Sequence, residues 1–153
     1  MWMGGNVPFG YDLKDRTLIP NEPEAASVRT IFEAYVRLGT VRAMKAVIDR
    51  QGLRTRIRTT RRSDGTTTVT GGKCFGIGHL YWILRNPVYA GRIRHKDKVF
   101  DGGHQGLIDK DLWQRVQERL TQQAAERQSG SSKGKSPSLL TGRIFAIDGR
   151  RLT

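Results

Sequence analysis

A chain of 153 residues carrying a formal charge of +13, with an isoelectric point near 10.7, is long enough for one ordinary domain plus a fragment of another. Such an imbalance repels itself, and a polyanion relieves it; because the positive residues are clustered, nucleic acid is the expected partner, against the plainer reading of a merely soluble basic protein. A single cysteine, Cys74, excludes an intrachain disulfide and a cysteine-coordinated zinc site within the chain, and no apolar run approaches membrane-spanning length.

The N-terminus has no secretory pattern, and a reducing, intracellular setting fits. The opening Met1-Trp2-Met3-Gly4-Gly5 reads as the middle of a longer chain. Two short extended stretches follow, around Phe9–Leu13 and Thr17–Pro20. Lys14-Asp15-Arg16 is the expected turn of a small hairpin.

The first helix is announced by Asn21 as cap and Pro23 in the first turn, where its missing N–H has no helical partner. Glu22 and Glu24 complement the positive end of the helix dipole. Val28, Ile31, Phe32, Tyr35 and Leu38 recur at three- and four-residue spacing, which predicts one apolar face, and Gly39 stops it. Thr40 caps a second helix with Val41, Met44, Val47 and Ile48 inward and Gly52 as its stop. Two helices joined by one glycine must turn sharply, as in helix-turn-helix units.

Residues 53–73 read LRTRIRTTRRSDGTTTVTGGK: Arg54, Arg56, Arg58, Arg61, Arg62 and Lys73 against the single acid Asp64. So few apolar residues cannot make core. Asp64-Gly65 suits a tight turn between two short polar strands, with Thr66 to Thr70 returning; a segment disordered without DNA is the alternative. Arginine's planar fork matches phosphate and guanine edges, so the segment reads as a phosphate-gripping arm that orders on DNA. An unbound, solvated loop is the blander reading. If all six cations met phosphates, binding would weaken with salt at a log–log slope of about −5.

A third helix is expected near Ile77 to Asn86. Ile77, Leu80, Ile83 and Leu84 point one way, and His79, Trp82, Arg85 and Asn86 the other. Asn86-Pro87 ends it. These outward residues can reach base edges or phosphates, and a third helix after a sharp two-helix turn suits the major groove. An ordinary surface face with Trp82 half-buried is the competing reading. A second hairpin is expected from Tyr89 to His95 and Lys98 to Phe100, around Lys96-Asp97, with Gln105 to Ile108 as a possible extension. Alternation places Arg92, Arg94 and Lys96 on one face, as a phosphate clamp or simply a solvated face. Asp109 caps a last helix from Lys110 to about Arg127, with Leu112, Trp113, Val116 and Leu120 inward.

Three domain-level segments result: 1–127 as the binding domain, 128–137 (QSGSSKGKSP) as a flexible linker, and 138–153 as the start of a second, ribbon-like module. The fold class expected is mainly α with small β-hairpins, α+β. His79, His95 and His104 lack the close spacing of a metal site. No carboxylate pair with a base, Ser-His-Asp order or glycine-rich phosphate motif is present. No cofactor, metal or catalytic residue is expected, and Cys74 reads as a structural thiol.

With those residues in hand, the chain resembles the recombinase domain of the large serine recombinases, phage integrases and transposon resolvases with a long C-terminal region. The matching strings are Gly4-Gly5-x-x-Pro8-Phe9-Gly10-Tyr11, Val28-x-x-Ile31-Phe32-x-x-Tyr35 and Gly78-His79-Leu80-Tyr81-Trp82-Ile83-Leu84-Arg85-Asn86-Pro87-Val88-Tyr89-Ala90-Gly91. His95-Lys96, Gly103-His104 and Ile108-Asp109-x-x-x-Trp113-x-x-Val116-Gln117 follow. Each is weak alone; their order over residues 4–127 is specific.

The resemblance implies sequence-specific binding of double-stranded DNA at half of a recombination attachment site, in the cytoplasm of a bacterium and encoded by a phage or mobile element. It implies a parent that pairs as a dimer and assembles into a tetramer on DNA, while the isolated piece is a monomer. The family's nucleophilic serine belongs to an N-terminal catalytic domain missing here, so this chain is expected to bind without cutting. Where relatives open a zinc ribbon with Cys-x-x-Cys-Gly, this chain has Phe145-Ala146-Ile147-Asp148-Gly149, so no zinc is expected. A nonspecific DNA- or RNA-binding module is the alternative.

Overall fold

A computed structural model describes residues 4–132; the expected ribbon-like module and the Phe145–Gly149 run lie outside them. The described residues form four helices and three two-stranded antiparallel hairpins, the α+β class expected. The chain divides into two compact units between Arg119 and Leu120, and the packing described below belongs to the first.

The first hairpin pairs β1 (Tyr11–Lys14) with β2 (Thr17–Pro20). Asp15 and Arg16 both take positive φ, 48° and 61°, the turn whose twist matches a two-residue hairpin. Its inner residue Tyr11 is wholly buried. The Tyr11 hydroxyl donates to the carbonyls of Val88 (3.1 Å) and Gln105 (2.8 Å), tying the hairpin to a region some eighty residues on. Burial pushes the pKa of that hydroxyl well above its ordinary value, so it stays a donor. Gly10 lies at φ +96°, and a Cβ there would stand 2.8 Å from Leu107 Cδ1 and 2.9 Å from Val28 Cγ2. Only glycine lets this strand lead-in approach so closely.

Helix α1 (Glu22–Leu38) begins as its sequence signals: the Asn21 side chain accepts from the Glu24 N–H, and the Gly39 N–H closes the other end on the Tyr35 carbonyl. Thr40 caps α2 (Val41–Arg50) through the Ala43 N–H at 3.3 Å. Helix α3 (Ile77–Arg85) packs on both. Val28, Ile31, Phe32 and Tyr35 from α1, Met44 and Ile48 from α2, and Leu80, Ile83 and Leu84 from α3 are fully buried. At about 1.5–3 kcal/mol for each large aliphatic or aromatic side chain removed from water, this trio supplies the main stabilisation.

Five local expectations need correction, the first being Leu38, which is 36% exposed at the end of α1. Ile77 is 41% exposed, because the first residue of α3 lies beyond the packed stretch of its face. Residues Pro87–Ala90 form a 3-10 turn rather than the start of a strand. The Asn86 side chain accepts from the Val88 N–H at 3.2 Å and Pro87 supplies a fixed φ, so a helical turn nucleates there. The third hairpin therefore starts late, with β5 at Arg92–His95 and β6 at Lys98–Asp101. Gln105 to Ile108 is not a strand; the Leu107 and Ile108 N–H groups both donate to the Tyr89 carbonyl (2.8 and 3.0 Å). Last, α4 runs from Lys110 to Ser132, so the first half of the expected linker is helical. Propagation adds one bond per residue, and a helix already started continues through poor formers. The early part of α4 is held by Gln117, which donates to the Leu84 carbonyl (2.6 Å), and by Arg119, which donates to that of Val36 (2.9 Å).

Candidate nucleic-acid interface

The basic arm is a hairpin. Its strands β3 (Arg58–Arg61) and β4 (Thr67–Thr70) pair antiparallel, Arg58 opposite Thr70 and Arg61 opposite Thr67. The tip is self-contained: the Gly65 N–H donates to the Arg62 carbonyl (3.0 Å), and the Thr66 N–H to Asp64 Oδ1 (2.9 Å). The Thr66 hydroxyl bonds the same carboxylate. These bonds hold the Asp64 carboxyl below its usual pKa, so the one acid of the arm is spent on the turn. At the base, the Thr55 N–H donates to the Lys73 carbonyl (2.9 Å) and the Gly72 N–H to that of Thr55 (3.0 Å).

The arm's six cations divide into two kinds. Arg56 faces the protein. Its Nε donates to Glu24 Oε1 (2.7 Å), and its Nη2 to the Tyr11 carbonyl (2.6 Å), to Asp12 Oδ1 (3.2 Å) and to Glu24 Oε2. Glu24 also accepts the Gly10 N–H at 2.9 Å. The Glu24 bond raises the Arg56 pKa still further, although burial opposes it. Arg58 is half turned inward, its Nη2 donating to the Val7 carbonyl at 2.6 Å. Arg54, Arg61, Arg62 and Lys73 are exposed, and among the described residues no acid pairs with their side chains. An arm expected to offer every cation outward instead uses one arginine as its anchor and part of a second.

On α3, His79 is half-buried and Trp82 stands 50% exposed. Phe9, Phe75, His79 and Trp82 form an aromatic run with ring centroids 5.2, 5.3 and 6.2 Å apart in turn. Burial, and then the charge of Arg58, lowers the His79 pKa below its ordinary 6.5. The unfolded chain therefore takes up this proton first as pH falls. Well above pH 6.5 His79 contributes no slope; acidification through 6.5 is expected to lower the thermal midpoint, and His79→Gln to flatten that dependence in melts between about pH 7.5 and 5. Arg85 is exposed, its guanidinium 5.5 Å from the Tyr81 ring centroid. Asn86 is committed to its cap, which removes one acceptor site from the expected reading face.

The arm and α3 border one open cleft of about 500 Å³. Arg56, Arg58, Thr55, Thr70 and Gly71 line one side, and His79 and Trp82 the other, over the segment Asn6–Phe9. A second hollow of about 430 Å³ lies across Trp82, lined by Gly78, Tyr81, Arg85, Asn86, Pro87 and Arg94. Trp82 is thus the ridge between them, and the arm, α3 and β5 make one continuous strip.

The structure brings Arg56, Arg58, His79, Trp82, Arg85, Asn86 and Arg94 to that strip. Lys96 is not on the β5 face as alternation suggested: it sits in the turn at φ 53°. There its carbonyl accepts from Arg94 Nε at 3.4 Å. Arg92 is half-buried. Sequence reasoning gave the segment Asn6–Phe9 no part in binding; its only signal was the Pro8-Phe9-Gly10-Tyr11 string. Among the described residues no group of three His, Cys, Asp or Glu could hold a metal, and no helix is long and apolar enough to cross a membrane.

A family model described as Recombinase matches residues 22–123, two thirds of the chain, covering α1, the arm, α3 and most of α4. The chain belongs to the Recombinase family. Among solved structures, this Recombinase domain is similar to a chain of a large serine recombinase–DNA complex (LSR–DNA), with TM-score 0.62 and 23% identity over 90% of this chain and 38% of that one. It is also similar to a chain from work on the sequence requirements of the Listeria innocua prophage attP site, with TM-score 0.62 and 24% identity over 86% of this chain and 48% of that one. At these identities the likeness is one of fold, and the Recombinase domain here spans less than half of either solved chain. No curated protein matches it.

Proposed function

We propose that this Recombinase domain binds double-stranded DNA at half of a recombination attachment site, as the address-reading part of a site-specific serine recombinase. The continuous strip of arm, Trp82-bearing helix and β5 carries this reading. Exposed cations at the arm tip and base supply affinity through phosphates, and the outward side of α3 supplies base contacts. The fold shared with a chain of a large serine recombinase–DNA complex supports it. The chain acts without cutting, and dimer and tetramer formation belong to the parent protein.

The test is competition. A duplex selected by the protein from a random pool should outcompete unselected duplex and structured RNA at moderate salt. Equal affinities for the three would leave only a nonspecific basic module. Cleavage of supercoiled plasmid by the pure chain with magnesium would defeat the division of labour. Replacing Arg61 and Arg62 together by Ala should make the salt slope shallower by about two, one for each phosphate left without its cation. Because both are solvent-exposed, thermal stability should change by no more than about 0.5 kcal/mol.

A further inference from the structure

The outward face of the arm carries a feature that phosphate binding does not use. Thr59 pairs with Val69 and Arg61 with Thr67, and side chains opposite each other share a face of the ribbon. Val69 is 66% exposed on that face, and Ile57, just before the strand and on the same alternation, is also 66% exposed. The opposite face, with Arg58 and Thr68 half-buried, turns to the body. Ile57 and Val69 are the two most exposed large apolar residues described. They sit on the most cationic segment of the chain, between Arg56 and Lys73. Nothing in the fold needs them apolar; threonine would serve the strand as well.

We propose that the Ile57–Val69 face of the arm is a sequence-reading surface that packs on thymine C5-methyl groups in the DNA major groove. This rests on the DNA-binding reading above and names its base preference. The dimensions agree. Two strands about 4.8 Å apart make a ribbon narrow enough for the major groove, roughly 12 Å wide, which admits a two-stranded ribbon. Of the groups on major-groove base edges, only the thymine methyl is apolar, and aliphatic side chains recognise it by contact. Charge chooses between occupants. A second copy of this arm would bring six cations against six, with one acid each, whereas a duplex neutralises Arg54, Arg61, Arg62 and Lys73 while the apolar pair is buried.

The experiment uses the full chain and a duplex it selects from a random pool. That duplex is compared with the same sequence carrying deoxyuridine for thymine, one position at a time, which deletes a single methyl and nothing else. The wild-type protein should lose about fourfold in affinity at one or two positions, the worth of one buried methyl-sized group. Ile57→Ser and Val69→Ser remove the apolar branches at exposed ribbon positions, where folding does not need them. Each should weaken binding to the thymine duplex and become indifferent to the uracil exchange at one position. Selected duplexes with no thymine requirement, or an exchange that wild type and both variants feel equally, would overturn the methyl-reading face while leaving DNA binding intact. Failure to select any duplex would remove both readings together.

Discussion

Gly71→Ala is expected to unmake the arm while the helical trio survives. Gly71 lies at φ +98°, and a Cβ on it would stand 1.9 Å from the Arg56 carbonyl oxygen and 2.7 Å from the carbonyl carbon. Both are backbone atoms, so no rotamer change relieves the overlap. The left-handed backbone alone costs a residue with a side chain on the order of 1–3 kcal/mol. The overlap must then be relieved by parting β4 from the segment before β3, and with it the Gly72-to-Thr55 and Thr55-to-Lys73 bonds. We expect the amides of Thr55, Gly72 and Lys73 to lose hydrogen-exchange protection, while those of buried Ile31, Met44 and Leu84 keep theirs. Affinity for duplex DNA should fall by at least about tenfold, since exposed cations on a mobile segment must be ordered again on binding. An alanine variant that loses protection at the arm base yet keeps full affinity would show that the hairpin is not the DNA-gripping element.

Arg56→Ala should be the most damaging single change among the arm's cations, through stability. Its guanidinium and the Glu24 carboxylate are 21% and 18% exposed at the side chain. Removing the arginine leaves the Glu24 carboxylate largely desolvated, with the Gly10 N–H still donating to it but no neutralising charge. Breaking a fully buried pair from one side costs about 3–5 kcal/mol; this one, partly wetted, should cost about 2–3 kcal/mol. Chemical unfolding would show the loss directly. Arg56→Lys should recover part of it, since an ammonium keeps the charge but cannot hold Glu24 and the Tyr11 carbonyl with one planar fork. The contrast with Arg61 and Arg62 is diagnostic: those two should change the salt slope without changing stability. If Arg56→Ala leaves the unfolding midpoint unmoved, the anchor is not a real constraint on the arm.

The anchor also explains how a short, polar hairpin stays formed. Two strands of four residues with little apolar cover are marginal alone. Here the body provides the missing order from two directions: Glu24 and Tyr11 hold Arg56, and the Val7 carbonyl holds Arg58. Both arginines lie on the near side of the arm, so the far side is left to solvent with Arg61, Val69 and Ile57.

Much of this was legible in the linear chain because it depends on neighbours. Asn21, Pro23 and Gly39 bracket α1, and Thr40 opens α2, through bonds that reach no more than four residues. The apolar spacing of Val28, Ile31, Phe32 and Tyr35 names the buried face, and Asp64-Gly65 names the turn of the arm. The cationic bias alone points to a polyanion, and the ordered strings from Gly4 to Gln117 point to the family that residues 22–123 match.

Tertiary structure decided which cations face outward. Arg56 and Arg61 are the same residue type in the same segment; alternation sets them on opposite faces, but it does not say which face the body covers. Arg56 meets its partner Glu24 across 32 positions, a pairing set by how α1 and the first hairpin pack. The same holds for Ile57 and Val69, whose exposure depends on which side of the ribbon the body covers. Helix caps and apolar periods are local energies and can be read one turn at a time; the direction in which a charge faces depends on contacts made only after the chain has folded.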